Sequence, residues 1–133
     1  MTTAPNASLA CPCGSALPYA DCCGRFHAGA LRLQAPTPEA LMRSRYSAFV
    51  FGDHAYLLDT WHAGTRPATL DADPPGLRWL GLTVRHQAMQ DADHATVEFV
   101  ARSKLAGQAH RLHETSRFVR ENGRWFYVDG DLA

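Results

Sequence analysis

The hydrophobic pattern of this chain has a helical period in its first half and an alternating period in its second half. One stripe at helical spacing combines apolar and aromatic side chains with a single cation: Leu41, Met42, Arg45, Tyr46, Phe49 and Val50. Thr37 suits an N-cap position and Gly52 a C-terminal stop, so the pattern predicts a helix over residues 38–51. Asp53 is predicted to cap a second helix over residues 54–62.

Four later stretches alternate between apolar and polar residues, which is typical of half-buried strands. They span residues 79–89, 95–104, 109–120 and 124–129. Asn122-Gly123 favours a hairpin between the last two, and consecutive strands are predicted to form an antiparallel meander. Because such a sheet must cover one face with the helices, we expect an α+β fold: a cone-shaped roll in which a curved sheet encloses a cavity.

Polar residues interrupt the apolar faces at two places. Arg45 lies inside the helical stripe, where a cation either extends to water at the margin or is buried beside a carboxylate. On the third strand, Glu114 and Ser116 share a face with Leu112 and Phe118, which ought to point at the core. If Arg45 meets Glu114, each offsets the desolvation of the other, and the pair is either structural or part of a ligand site. The candidate pocket residues are Arg45, Tyr46, Trp61, His62, Glu114 and Ser116.

All four cysteines of the chain lie close together near its N-terminus: Cys11, Cys13, Cys22 and Cys23. Four thiols at this spacing indicate either a disulfide-linked secreted mini-protein or a tetrahedral metal site. Residues 1–10 contain no Lys or Arg and no apolar run, so a secretory signal peptide is not predicted and a cytoplasmic location is expected. A reducing compartment favours Zn²⁺, while ligand type alone leaves iron–sulfur and copper chemistry open.

Composition indicates one compact domain with a small appendage. Of the 133 residues, 46% are hydrophobic, which is ordinary for a packed core. Thirteen basic and 13 acidic residues give a formal net charge of zero, so charge offers no basis for nonspecific binding to nucleic acids or membranes. We expect a flexible lead-in over residues 1–10 and a connector over residues 25–36.

The cysteine-rich segment resembles the SEC-C motif, a small zinc-binding element also found in the SecA translocation ATPase. The residues that carry the resemblance are Cys11-Pro-Cys-Gly-Ser15, Tyr19 and Cys22-Cys23-Gly24. It implies a knuckle over residues 11–24 with Zn²⁺ as its metal, and it implies the four cysteines as the ligands. His27 then lies outside the coordination shell.

The rest of the chain resembles the YchJ-like family of bacterial proteins. The matching stretches are residues 41–50, 56–62, 79–84, 97–102, 114–118 and 123–130. This resemblance implies a domain similar to nuclear transport factor 2 over residues 37–133. Some members carry a second SEC-C motif at the C-terminus, and this sequence lacks one.

Two classes of function are compatible with these features. The first is a zinc-stabilised accessory or protein-interaction protein, with a candidate contact surface formed by Tyr19, Arg25, Phe26 and His27. By resemblance to SecA, its protein partner would be an export chaperone or the ribosome. The second is a small-ligand-binding protein or enzyme that uses the cavity, since the fold licenses no particular chemistry. A homodimer through the sheet is also expected of folds of this kind.

Overall fold

The computed structural model describes residues 8–133 and places a cysteine-rich segment, three helices and one sheet in that order. A short 3₁₀ turn at Tyr19–Asp21 lies within the cysteine-rich segment. The helices and strands are α1 (Gly24–His27), α2 (Pro38–Phe51), α3 (His54–Asp59), β1 (Arg78–Met89), β2 (His94–Leu105), β3 (Gln108–Glu121) and β4 (Arg124–Leu132). The predicted α+β class is confirmed.

Helix α2 begins and ends where its sequence predicts. The Thr37 hydroxyl accepts a hydrogen bond from the backbone N–H of Ala40 (3.0 Å), which satisfies one of the free donors of the first turn. Pro38 occupies the first helical position, where its missing N–H leaves no partner unsatisfied. At the other end, Gly52 has a φ of 69°, a left-handed conformation that stops the helix.

Helix α3 ends at Asp59, before the predicted end at residue 62. The chain leaves the helix because its backbone pairs with β4. Tyr127 N–H donates to the Thr60 carbonyl (2.9 Å), and the His62 N–H donates to the Tyr127 carbonyl (2.7 Å). This pairing gives a parallel bridge between Trp61 and Tyr127. Tertiary pairing therefore overrides the local helical pattern and fixes Trp61 beside the sheet.

The four strands form one antiparallel sheet in the order β1-β2-β3-β4, which is the predicted meander. β4 continues past the predicted end at residue 129 because Leu132 still pairs with Glu114 of β3. The register shifts between Arg117 and Phe118, and β1 has two further irregularities against β2. Such irregularities bend strands, and the bent sheet contacts α2 through β1, β2 and β4.

Helix α2 is buried on two sides, whereas its apolar stripe predicted one. Met42, Arg45 and Tyr46 belong to the predicted stripe and face the cavity described below. Ser44 and Ser47 are fully buried on another side, where the Ser44 carbonyl contacts His27 of α1 and the Ser47 hydroxyl contacts Cys11. The pattern missed this second face because serine is counted as polar, although a small side chain allows another backbone to approach closely.

The buried core is continuous from the cysteine-rich segment to the sheet. Its members from the three layers include Cys13, Cys23, Phe26, Leu41, Ala48, Tyr56, Leu57, Val97, Phe99, Phe118 and Trp125. The cysteine-rich segment is therefore packed into the same core as α2 and the sheet, rather than appended to it.

Residues before the first cysteine already pair with the cysteine-rich segment. Residues 1–7 of the predicted lead-in lie outside the described residues. Ala10 forms an antiparallel bridge with Pro18, and the Leu9 carbonyl accepts a hydrogen bond from the Tyr19 N–H (2.8 Å). In the predicted connector, Arg32 makes an ion pair with Asp59 at 3.0 Å, which joins it to the end of α3.

The face of the sheet opposite the helices is polar. His113 contacts Glu98 (2.6 Å) across neighbouring strands, and Arg117 makes ion pairs with Asp129 and Asp131. These charges are satisfied within the chain, and a homodimer through this face stays a prediction. None of the helices formed by residues 8–133 is long and apolar enough to cross a membrane.

Candidate metal centre and ligand cavity

The four cysteines meet at one point, although they come from two turns of the chain. Their Sγ atoms all lie within 4.8 Å of one another, and every cysteine is buried. The Cys11 N–H donates to the Leu17 carbonyl (2.8 Å), which closes the loop between the first and second pairs. Cys22 and Cys23 are held by the 3₁₀ turn and the start of α1.

The sulfur positions fit a tetrahedral ion and do not fit a disulfide. Cys13 Sγ and Cys22 Sγ are 3.6 Å apart. A Zn²⁺ with sulfur ligands at about 2.3 Å requires sulfur–sulfur distances of about 3.8 Å, whereas a disulfide requires about 2.0 Å. The cluster therefore suggests metal binding.

Hydrogen bonding among the sulfurs separates their pKa values. The Cys11 and Cys23 thiols hold the pKa of Cys13 far below its usual value. The same kind of contact, first of all with Cys11, raises the pKa of Cys23, and burial raises the pKa of Cys22. The Cys13 thiolate is therefore favoured by the cluster itself, while a cation among the sulfurs would favour ionisation of Cys22 and Cys23.

Two arginines from the helices contact the backbone of the cysteine-rich segment. Arg43 Nη1 donates to the Cys13 carbonyl (2.8 Å), and Arg25 Nε donates to the Cys22 carbonyl (3.0 Å). Ser15 Oγ lies 3.0 Å from Cys22 Sγ. These groups place positive charge and hydrogen-bond donors next to a site that would carry negative charge with four thiolates.

The predicted contact surface is wrong for three of its four residues. Tyr19, Phe26 and His27 are only 8%, 4% and 8% exposed, and Arg25 alone is exposed. His27 Nε2 donates to the Ser44 carbonyl (2.8 Å), so its Nδ1 accepts from the Tyr19 hydroxyl (2.5 Å). The aromatic residues therefore join the cysteine-rich segment to α2, and burial lowers the pKa of His27.

A cavity of about 330 Å³ lies between α2 and the sheet. Aromatic side chains dominate its wall: Tyr46, Phe49, Trp61, Trp79, Phe99, Phe118 and Tyr127. Of the predicted pocket residues, Arg45, Tyr46, Trp61, Glu114 and Ser116 line it. The sequence did not predict Asp73, which lies at the same cavity and accepts a hydrogen bond from Trp79 Nε1 (3.1 Å). It lies directly before Pro74-Pro75 in a loop without periodicity, so its position could not be derived.

Arg45 is the buried cation of this cavity. It is 6% exposed, and its Nη1 donates to the Leu57 carbonyl (2.8 Å) and the Thr60 hydroxyl (2.7 Å). Its guanidinium carbon lies 5.1 Å from the centre of the Trp61 ring and 4.4 Å from that of Tyr127. Burial lowers the pKa of Arg45 to about 10, which leaves it charged at neutral pH.

The Glu114 carboxylate lies beside Ser116 of β3 and Gly130 of β4. Within residues 8–133, no ion pair of 4.0 Å or less joins it to Arg45, so the contact considered from the sequence does not form. The Ser116 hydroxyl donates to Glu114 Oε2 (2.6 Å). Gly130 makes room for this carboxylate, since a Cβ there would lie 2.7 Å from Glu114 Cδ. The two charges therefore share the cavity without neutralising each other through contact.

His62 lies away from this cavity. Its Nε2 is 3.0 Å from Glu121 Oε2, and its Nδ1 accepts a hydrogen bond from the Gly64 N–H (3.0 Å). The early end of α3 explains the difference, because residues 60–62 run beside β4 instead of continuing the helix. His62 thus belongs to the opposite side of that segment from the cavity-lining Trp61.

Comparison with known proteins identifies the family. The model of the middle, NTF2-like domain of YchJ matches residues 37–130, and the SEC-C motif model matches residues 9–25. The chain belongs to the YchJ-like family. A UPF0225 protein of Bordetella parapertussis is 58% identical to it over 132 residues, which cover 99% of each chain. Another from Cupriavidus metallidurans is 63% identical, over 92% of this chain and 88% of that protein.

Solved structures support the fold of the family member described here. A SEC-C motif containing protein from Rhodopseudomonas palustris has a TM-score of 0.81 and 35% identity, covering 94% of this chain and 99% of that one. A SEC-C motif containing protein from Psychrobacter arcticus has a TM-score of 0.78 and 30% identity, covering 96% of this chain and 84% of that one. The resemblance stated from the sequence is confirmed.

Proposed function

We propose that this protein binds a small molecule in the cavity between α2 and the sheet, and that its four cysteines hold a structural Zn²⁺. The observation that carries the proposal is Arg45, a buried guanidinium that lines an aromatic cavity and has no carboxylate of residues 8–133 within ion-pair distance. A buried charge without a partner is costly. Groups of this kind concentrate at functional sites, where a ligand supplies the missing partner.

The closed set of four buried thiols supports a structural rather than a catalytic ion. Four sulfur ligands complete the preferred shell of Zn²⁺, so no coordination position remains for a substrate. Four thiolates and one Zn²⁺ carry a charge of −2, beside which Arg25 and Arg43 lie. Zinc would order the segment that packs on α2, and α2 supplies Arg45 to the cavity.

The proposal is tested with 8-anilinonaphthalene-1-sulfonate, a fluorescent probe with an apolar body and one anionic group. The zinc-loaded protein is expected to bind one equivalent with an increase in fluorescence. Leu112→Trp narrows the cavity at a partly exposed lining residue and should weaken binding about tenfold. Met89→Trp, at a residue that is 50% exposed and does not line the cavity, is the matched control and should leave binding unchanged.

If both tryptophan substitutions weaken probe binding equally, or if neither weakens it, the probe binds outside the cavity and the proposed site is refuted. Circular dichroism and zinc content of each variant establish that the fold and the metal centre are retained.

A protein-interaction role is a second candidate, supported by apolar side chains near the metal centre. Leu9 and Leu17 are 62% and 49% exposed, and their carbonyls accept the backbone bonds that close the cysteine-rich segment. An export chaperone or the ribosome remains the proposed partner class, with a cytoplasmic location. Leu17→Asp should abolish sedimentation with ribosomes or binding to a purified export chaperone, and Arg45→Met should not; loss with Arg45→Met alone would contradict this role.

A further inference from the structure

The two charged groups of the cavity each keep one side free for a ligand. Arg45 uses Nη1 for its protein hydrogen bonds, while Nε and Nη2 have no hydrogen-bond partner among the described residues. Both atoms retain some exposed surface, and the side chain to which they belong lines the cavity. Nε and Nη2 form one edge of the guanidinium, and this edge can donate two parallel hydrogen bonds to a carboxylate.

Glu114 offers the complementary group. Ser116 donates to its Oε2, and its Oε1 has no hydrogen-bond partner within residues 8–133. This oxygen also retains some exposed surface. A carboxylate oxygen accepts hydrogen bonds only, so a ligand must bring a donor to it, and an ammonium group gives the strongest bond of this type.

The charge of the cavity distinguishes between ligand types. Arg45 and Glu114 together carry no net charge, and Asp73, the other charged lining residue, is exposed to water. A ligand with only a carboxylate would leave Glu114 facing a like charge, and a ligand with only an amine would do the same to Arg45. A molecule that carries both groups satisfies both residues and adds no net charge to a low-dielectric site.

The size and the wall of the cavity define the rest of the ligand. A volume of about 330 Å³ lies at the lower end of the range for small-molecule sites. Tyr127 and Trp61 stack on the Arg45 guanidinium, and Phe99 and Phe118 line the sheet side. An aromatic wall of this kind favours a compact apolar or aromatic body next to the charged end.

We infer that the cavity binds a small zwitterion with an apolar body, of the type of an aromatic or branched-chain amino acid, whose carboxylate meets Arg45 and whose ammonium meets Glu114. This inference rests on the proposed function and adds the chemical class of the ligand. It makes Arg45 and Glu114 binding residues, and it makes Ser116 and Gly130 the residues that position the Glu114 carboxylate.

Isothermal titration of the zinc-loaded full chain with L-phenylalanine tests the inference against two matched compounds. One is 3-phenylpropanoate, which lacks the ammonium, and the other is 2-phenylethylamine, which lacks the carboxylate. L-Phenylalanine is expected to bind at least about tenfold more tightly than either compound, because each analogue leaves one of the two cavity charges without a ligand group to pair with. Equal binding of either analogue, or no binding of L-phenylalanine, would overturn the inference.

Variants assign the two ends of the ligand. Arg45→Gln should weaken L-phenylalanine binding by at least about tenfold. Glu114→Gln should remove the preference for L-phenylalanine over 3-phenylpropanoate, and so should Gly130→Ala, whose new Cβ would displace the Glu114 carboxylate. Arg111→Gln, at an exposed arginine of β3, is the control and should leave both affinities unchanged.

The sulfonate probe separates the failure of this inference from that of the proposed function. If the probe binds in the cavity and L-phenylalanine does not displace it, the ligand class is wrong and the cavity remains a binding site. If neither compound binds there, both conclusions are wrong. Because zinc content and circular dichroism are recorded for every variant, a variant that unfolds is recognised, and Gly130→Ala provides a second route to Glu114 if Glu114→Gln fails to fold.

Discussion

At the scale of single residues, substitution of Arg45 can show whether the buried charge of the cavity serves the fold or a ligand. A residue that holds the fold together should be costly to remove, whereas a residue kept for a ligand should not. Its Nη1 makes two hydrogen bonds at the end of α3. Against these stands the desolvation of a guanidinium that forms no ion pair with a carboxylate in the described part of the chain.

We therefore predict that Arg45→Met changes the free energy of unfolding by no more than about 1.5 kcal/mol, because loss of the hydrogen bonds is offset by removal of the buried charge. Urea denaturation of the zinc-loaded protein measures this. A destabilisation above about 3 kcal/mol would show that Arg45 is structural, which was one of the two alternatives left open by the sequence.

His27 gives stability a pH dependence of known sign. Burial lowers its pKa, so below its usual pKa of about 6.5 the unfolded chain binds a proton that the folded chain does not. The folded state should therefore lose stability as the pH falls from 7.5 to 5.5, by at most about 1.4 kcal/mol per pH unit from this group. His27→Gln, which cannot titrate, is the control for protonation of the cysteines.

The measurement is the free energy of unfolding of both proteins at pH 7.5 and 5.5. The free energy of unfolding of wild type minus that of His27→Gln should be smaller at pH 5.5 than at pH 7.5. An unchanged or opposite difference would contradict the buried neutral imidazole.

At the scale of elements, α2 explains what the sequence predicted and what it did not. Its boundaries could be predicted because the cap, the first-turn proline and the terminal glycine act locally. Its second buried face could not, because Ser44 and Ser47 contact α1 and the cysteine-rich segment, which are distant in sequence. Local patterns likewise assigned Arg45 and Glu114 to one cavity. The distance between their side chains could not be predicted, because it depends on tertiary packing.

Ser47 tests this close packing. Ser47 Oγ lies 3.5 Å from Cys11 Sγ and is fully buried. Ser47→Ala should change the free energy of unfolding by less than about 1 kcal/mol, whereas Ser47→Leu should cost about 1–3 kcal/mol because the added methyl groups have no space.

Release of zinc to a chromogenic chelator provides the second measurement for this pair. Release should be several-fold faster from Ser47→Leu than from Ser47→Ala, since the leucine pushes against a ligand. Equal release from both variants would mean that α2 does not support the metal centre.

At the scale of the whole molecule, the cysteine-rich segment and the sheet share one core. The sequence divided the chain into a knuckle, a connector and a domain, because its motifs are separate along the chain. Tyr19, Phe26 and His27 were predicted to be a contact surface on this basis, and they are instead the interior between the two parts. Patterns in sequence indicate which residues are apolar, but not which segment covers them.

Removal of zinc should therefore destabilise the entire chain in one transition. With a chelator and a thiol reductant present, the free energy of unfolding should fall by about 4 kcal/mol or more, as for a ligand lost from a thousandfold excess over its dissociation constant. Far-ultraviolet circular dichroism and tryptophan fluorescence should report the same midpoint. Two separate transitions, with the sheet unaffected, would mean that the segment and the sheet are independent units.

Burial of the middle of α2 also determines how its amide hydrogens exchange with solvent. Residues 44–48 are five consecutive buried residues, so this turn of the helix has no face toward solvent. Their amides can exchange with deuterium only when the cysteine-rich segment and the sheet both move away, which is the opening of the whole molecule. Zinc and a cavity ligand should therefore slow exchange at these same five positions, even though the two bind on opposite sides of the helix.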